Sequence, residues 1–222
     1  MRCVLFDLDN TLVEIPDAYQ FFDDLIIKVI QDDYKLPIPP RESRDTLWRS
    51  GKDYIPILKA WGVADPSDFW RRFDEYDSVK RSDFIQRGKI QLYPDTLPTL
   101  EELKNRGLNL GIVSNTTTPI VESEIQAFHI NHFFDLVIGL GETQEQCKPE
   151  PDGLLAAIQR LGCSAQESIF VGDSRVDLIA GKRANIRNVL IDRKNSKNFE
   201  SDGIAEEDFI RIHDLRDLIK VI

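Results

Sequence analysis

Five short apolar runs punctuate the chain: VLF (4–6), LNLGIVSN (108–115), DLVIGL (135–140), SIFVGD (168–173) and NVLIDR (188–193). A more mixed run, FIRIHDL, occupies 209–215. Runs this short and this continuously apolar read as strands buried on both faces, as in a parallel sheet. Between them the period changes. DTLPTLEELKNRG (95–107) spaces Leu97, Leu100 and Leu103 at helical intervals and closes on Gly107, a C-cap residue. TPIVESEIQAFHI (118–130) follows one strand, and PDGLLAAIQRLG (151–162) precedes another and again ends in glycine. This alternation predicts an α/β core with a doubly wound parallel sheet, a layout that gathers ligands at the carboxyl ends of the strands.

Residues 14–93 break the alternation. FFDDLIIKVI (21–30), DYIPILKAW (53–61) and DFWRRFDEY (68–76) repeat at helical spacing, and PIPP (37–40) interrupts them. All three tryptophans, Trp48, Trp61 and Trp70, fall in this segment. It is too long for a crossover connection and predicts an inserted helical subdomain whose core holds the tryptophans. The α/β core then comprises 1–13 and 94–222.

Bulk properties narrow the function. A chain of 222 residues has room for one full core and a smaller satellite. With 28 basic against 38 acidic residues the net charge is −10, which argues against a general nucleic-acid binder but leaves room for a local basic pocket. No run reaches the ~18 apolar residues of a membrane span. The chain enters MRCVLFDLD directly, leaving no room for a signal peptide. Cys3, Cys147 and Cys163 are odd in number and form no CxxC pair, so they read as free thiols of a cytoplasmic protein. His129, His132 and His213 stand apart from the acidic positions and read as packing or surface residues.

The candidate chemistry begins at VLFDLDNTLV (4–13), where Asp7 and Asp9 alternate and so share one face of a strand. Two carboxylates held there repel and lose hydration, and a bound cation would offset both penalties. Parallel strands also bring together Thr11, Ser114 and Asn115, Lys148 in CKPEP, and Asp173 and Asp177 in GDSRVD. Hard oxygen ligands without a Cys/His cluster suit Mg²⁺. A lysine, a small hydroxyl and turn N–H groups beside that ion suit phosphate.

DLDNT at 7–11 resembles the DxDxT signature of haloacid dehalogenase-like (HAD) hydrolases. SN at 114–115, KPEP at 148–151 and GDSRVD at 172–177 resemble that superfamily's three further motifs, in order. The insertion at 14–93 falls where many members carry a helical cap over a Rossmann-like core. The resemblance implies that Asp7 attacks a phosphoryl group to form an aspartyl-phosphate, and that Asp9 serves as general acid and then base. It implies Mg²⁺ held by an Asp7 oxygen, the Asp9 backbone carbonyl and Asp173. Asp177 is either a ligand through water or the carboxylate that positions Lys148. Ser114 and Lys148, helped by the Asn115 N–H, would bind the transferring group.

The Asp at position 9 leads away from the dehalogenases and phosphonatases of the superfamily. Cys147, where many relatives have Gly, and GKRAN (181–185) depart from the pattern without touching a proposed catalytic atom. The implied function is Mg²⁺-dependent hydrolysis of a small phosphomonoester, in the capped branch that includes phosphoglycolate phosphatases. Two alternatives stay open: a sugar-phosphate mutase resembling β-phosphoglucomutase, and a catalytically idle scaffold. The expected partner is a small phosphorylated metabolite, with no nucleic acid and no membrane. In the insertion, Arg41, Arg44, Arg49 and Lys52 surround Gly51. By the resemblance Arg49 and Lys52 are candidates for a substrate carboxylate or second phosphate, set against a plain charged helix face interleaved with Glu42, Asp45 and Asp53.

Overall fold

The computed structural model describes residues 1–141, 147–195 and 204–222. The chain divides into two compact units. One holds Met1–Glu14, Gln91–Leu140 and the described residues from 147 onward; the other holds Ile15–Ile90 and Gly141.

The first unit is built on six parallel strands: β1 (Cys3–Phe6), β4 (Asn109–Thr117), β5 (Leu136–Leu140), β6 (Ser168–Gly172), β7 (Arg187–Ile191) and β8 (Phe209–Ile212). Their order is β5-β4-β1-β6-β7-β8. The chain winds outward from β1 in both directions, so the point where the winding reverses lies at β1 and its two neighbours. Cys3–Phe6 pairs with Asn109–Ile112 on one side and with Ser168–Val171 on the other. These three strands therefore end at one level, and the residues that follow them are brought together. Helices α5 (Thr96–Asn105), α6 (Thr118–Ala127), α7 (Asp152–Arg160) and α8 (Arg175–Arg183) cover the sheet. Alternation along β1 turns Leu5 into a cluster with Val113, Phe170, Leu154 and Ile158, while Val4 and Phe6 fill the opposite face. A two-stranded antiparallel ladder, β2 (Val13–Glu14) with β3 (Gln91–Leu92), joins the points where the chain leaves and re-enters this unit.

The second unit consists of α1 (Ala18–Lys28), α2 (Arg41–Arg49), α3 (Tyr54–Ala60) and α4 (Pro66–Gln86). Asp65 caps α4 by accepting from the N–H groups of Ser67 and Asp68, and Pro66 supplies the first-turn geometry. Phe21, Leu25, Leu47, Leu58, Phe69 and Phe73 are buried.

Several details differ from the sequence reading. In helix α2, a segment with a charged-face reading, Arg44 is instead buried and paired with Asp23 on α1 at 2.6 Å. The tryptophans do not form the core of this unit: Trp48 is 48% exposed, while Trp61 and Trp70 are half-buried, and phenylalanine and leucine take the centre. In α5, Leu100 and Leu103 are buried but Leu97 faces outward. The expectation of three free thiols also fails. Cys3 and Cys163 are joined in a disulfide, with Cα atoms 6.5 Å apart, and Cys147 is the free cysteine. The pairing was hidden by 160 residues of separation; Cys163 precedes β6, which lies beside β1. The cysteine count therefore gives no argument for a reducing compartment. Among the described residues no helix is long and apolar enough to cross a membrane.

Candidate active site

Thr11 and the seven candidate catalytic, phosphate-binding and metal residues, Asp7, Asp9, Ser114, Asn115, Lys148, Asp173 and Asp177, all belong to the first unit. Asp7 follows β1 directly, and its N–H continues the ladder by donating to the Val171 carbonyl at 2.9 Å. Its side chain is buried, and Lys148 Nζ donates to its Oδ1 at 2.7 Å. The same ammonium donates to Asp177 Oδ1 at 2.6 Å. Lys148 is 5% exposed and Asp177 1%, so two buried carboxylates share one buried cation.

Lys148 is held from behind by Asn115. The Asn115 side chain accepts from the Lys148 N–H at 2.7 Å and donates to the Lys148 carbonyl at 3.0 Å. The side-chain amide of Asn115 thus aligns the lysine-bearing segment. Asp177 is fixed equally firmly. Its Oδ2 accepts from the Ser174 N–H at 3.0 Å and from the Ser174 hydroxyl, a capping box at the start of α8. Gly172 makes room for it: a Cβ at that position would lie 2.5 Å from both Cβ and Cγ of Asp177.

Ser114 and Asn115 lie within β4 rather than beyond it. The strand runs on to Thr117 through a register shift against β5 between Val113 and Thr117. Gly139 permits this, since a Cβ there would meet the Thr116 carbonyl oxygen and the Thr118 nitrogen at 2.5 Å. The extended strand delivers a residue the sequence reading missed. Thr116 Oγ1 donates to Asp9 Oδ2 at 3.0 Å, and the Thr116 N–H donates to the Ser114 hydroxyl at 3.1 Å. Two-residue alternation from Ser114 could have found it. Ser174 was legible too, as the first residue of a Ser-x-x-Asp cap signature.

Asp7, Asp173 and Asp177 each offer an oxygen within 4.8 Å of the others. The Asp9 carboxylate is outside this trio and turns to Thr116, so only its backbone carbonyl is left for the ligand role implied above. Burial pushes the Asp7 carboxyl well above its ordinary value, against the opposing pull of Lys148, and the charges of Asp177, Asp173 and Asp9 push it the same way. Burial works against the Lys148 ammonium, but Asp177 and Asp7 together hold its pKa above that of an ordinary lysine. Asp7, Asp173 and Asp177 crowd their oxygens together, and a divalent cation there would relieve the repulsion among them. An all-oxygen donor set of this size fits such an ion. Arg49 and Lys52 belong to the helical unit and are exposed there.

A family model for haloacid dehalogenase-like hydrolases matches residues 4–191. The chain belongs to that family. Its kinship is with the phosphatases of the haloacid dehalogenase-like hydrolases. It is 42% identical over 212 residues to a phosphoglycolate phosphatase of Escherichia coli strain K12, covering 85% of this chain and 80% of that protein. It is 26% identical over 227 residues to the pyrophosphatase PpaX of Oceanobacillus iheyensis, covering 100% of this chain and 97% of the relative. Among solved structures, a HAD phosphatase from Thermococcus onnurineus superposes with a TM-score of 0.61 at 26% identity, covering 100% of this chain and 97% of the other. The six-stranded parallel sheet flanked by helices is the Rossmann-like core of this family.

Proposed function

We propose that this protein is a Mg²⁺-dependent phosphatase that hydrolyses a small phosphomonoester through an aspartyl-phosphate on Asp7. The observation that carries the reading is the buried Lys148 ammonium bridging Asp7 and Asp177, with Asp173 close enough to share a cation with both. An Asp7 oxygen attacks phosphorus as the ester P–O bond breaks, and Asp9 gives its proton to the leaving alkoxide. Asp9 then takes a proton from water, whose oxygen attacks phosphorus. The bond from Asp7 to phosphorus breaks and inorganic phosphate leaves. Thr116 orients the Asp9 carboxylate for both proton transfers. Ser114, Lys148 and the Asn115 N–H hold the phosphoryl oxygens. Asp7, Asp173 and the Asp9 carbonyl would hold Mg²⁺, which supplies charge stabilisation to the transferring group. In this reading Asp177 serves Lys148 rather than the ion. Residues 14–93 serve as the cap, where Arg49 and Lys52 remain candidates for a second anionic group on the substrate.

The names of the relatives point to 2-phosphoglycolate first and pyrophosphate second. Phosphate release from both, and from a panel of sugar phosphates, with Mg²⁺ and with Asp7→Asn beside the wild type, tests the reading. Turnover of one compound that vanishes in Asp7→Asn supports it. Isomerisation of a sugar phosphate without phosphate release would make the protein a mutase. No turnover of any kind would leave a scaffold.

A further inference from the structure

Arg193 lies two residues past β7 and outside the span that the family model matches. Its guanidinium makes three contacts within the first unit. Nη1 pairs with Asp95 Oδ2 at 2.6 Å, Nη2 donates to the Thr11 carbonyl at 2.9 Å, and the group lies over the Tyr93 ring, 3.7 Å from its centre. The Arg193 side chain is 17% exposed and that of Asp95 5%. Asp95 Oδ2 also accepts from the Leu215 N–H at 2.7 Å, so the carboxylate that anchors the arginine is itself anchored.

The carbonyl that Arg193 holds belongs to the turn carrying Asp9. In that turn Asn10 adopts φ 58°, its N–H donates to the Val13 carbonyl at 2.6 Å, and the N–H groups of Thr11, Leu12 and Val13 all point to the Leu8 carbonyl. The turn meets the segment at 93–96 through the Leu12 carbonyl, which accepts from the Tyr93 N–H at 3.1 Å and from Thr96 Oγ1 at 2.8 Å. Arg193 adds the charge-assisted bond, on Thr11, two residues past Asp9. Tyr93, under the guanidinium, is within electrostatic reach of Asp173: its phenol is pushed up to about 12 by burial first, then by Glu14 and Asp173, with Arg193 opposing. One fork therefore touches the turn after Asp9 and a ring that feels Asp173.

We propose that Arg193 is a positioning residue for phosphoryl transfer, docking the turn after Asp9 onto the Tyr93–Asp95 segment so that Asp7 and Asp9 stay aligned with Asp173 and Lys148. This rests on the phosphatase reading above. Lysine could meet Asp95 as a point charge, but it could not also donate to the Thr11 carbonyl and lie flat on Tyr93.

The test uses the full chain with Mg²⁺, p-nitrophenyl phosphate and 2-phosphoglycolate, comparing wild type with Arg193→Lys and Arg193→Ala. In both variants kcat falls about 10- to 100-fold, the scale expected when reacting groups are misplaced by an ångström or less. KM stays within about twofold, because ground-state binding is unaltered. Added guanidinium ion restores part of the lost kcat in Arg193→Ala and not in Arg193→Lys. An arginine that only stabilised the fold would leave kcat of the folded fraction unchanged in both variants and guanidinium without effect, which overturns the proposal. Should Arg193→Ala fail to fold, Arg193→Lys keeps the charge beside Asp95 and decides by its kcat alone. A wild type that releases no phosphate from either probe removes the phosphatase reading and this inference with it; an active wild type with unchanged variants removes this inference alone.

Discussion

Replacing Gly172 with alanine adds a single methyl group, and the structure states what it would strike. The new Cβ would lie 2.5 Å from Cβ and Cγ of Asp177 and 2.7 Å from its Oδ2. Relief requires one of two pinned elements to move. Gly172 ends β6, whose preceding residue accepts from the Asp7 N–H and which pairs on its other side with Leu190. Asp177 is tied to Ser174 at the start of α8 and to Lys148 Nζ at 2.6 Å. Overpacking between two such elements costs about 1–3 kcal/mol. The displaced carboxylate also releases Lys148, which then no longer meets Asp7 in the same geometry. Gly172→Ala is therefore expected to lower the urea midpoint by an amount equivalent to about 1–3 kcal/mol and to lower kcat by about 10- to 100-fold. Gly141→Ala is the matched control, since a Cβ there meets nothing within 4 Å. Urea unfolding and steady-state phosphate release on the two variants provide both numbers. Wild-type stability together with wild-type kcat in Gly172→Ala would refute the packing argument.

Three further outcomes are expected. Thr116→Val removes the donor to Asp9 Oδ2 while keeping the side chain's shape; kcat should fall about 5- to 20-fold with KM unchanged, and a raised KM with intact kcat in steady-state assays would contradict the role given to Thr116. In the helical unit, Asp74 is raised from 3.8 to about 7 by burial and by Asp77, with Arg81 opposing. Between those values the folded protein holds a proton that the unfolded chain has lost, so this group removes stability as pH rises through that window. Asp74→Asn should remove that slope and leave the protein roughly 1–3 kcal/mol more stable than wild type near pH 8, allowing for partial solvent screening. Urea midpoints that differ equally at low and high pH would refute it. Arg44→Met strands the buried Asp23 carboxylate, which Arg44 meets at 2.6 and 2.7 Å. Denaturation should show a loss of about 3–5 kcal/mol, and adding Asp23→Leu should recover most of it; a double variant as weak as the single one would argue against the pairing.

The parallel sheet was legible because its strands are short continuous apolar runs, and the site was legible because parallel strands must deliver their terminal residues to one edge. What escaped the sequence reading depended on contacts between distant segments. Arg44 looked like part of a solvated face until Asp23, on another helix, buried it. The disulfide joins cysteines 160 residues apart that meet only because β1 and β6 lie side by side, and spacing carries no trace of that. The extension of β4 through Thr117 depends on Gly139 in the neighbouring strand, a close approach that no pattern within β4 announces. The seven motif residues declared their chemistry by type and order. Of their supports, Thr116 and Ser174 follow local patterns, whereas Gly172 takes its meaning from Asp177, which lies against it.

The central claim is that Asp7 becomes phosphorylated during turnover. Quenching the Mg²⁺-dependent reaction in acid, reducing with borohydride and sequencing peptides tests it most directly, because reduction converts an aspartyl-phosphate to homoserine. The account predicts homoserine at position 7 when substrate is present and none when it is withheld. Steady phosphate release with Asp7 unmodified throughout, or with the modification at another carboxylate, would contradict it.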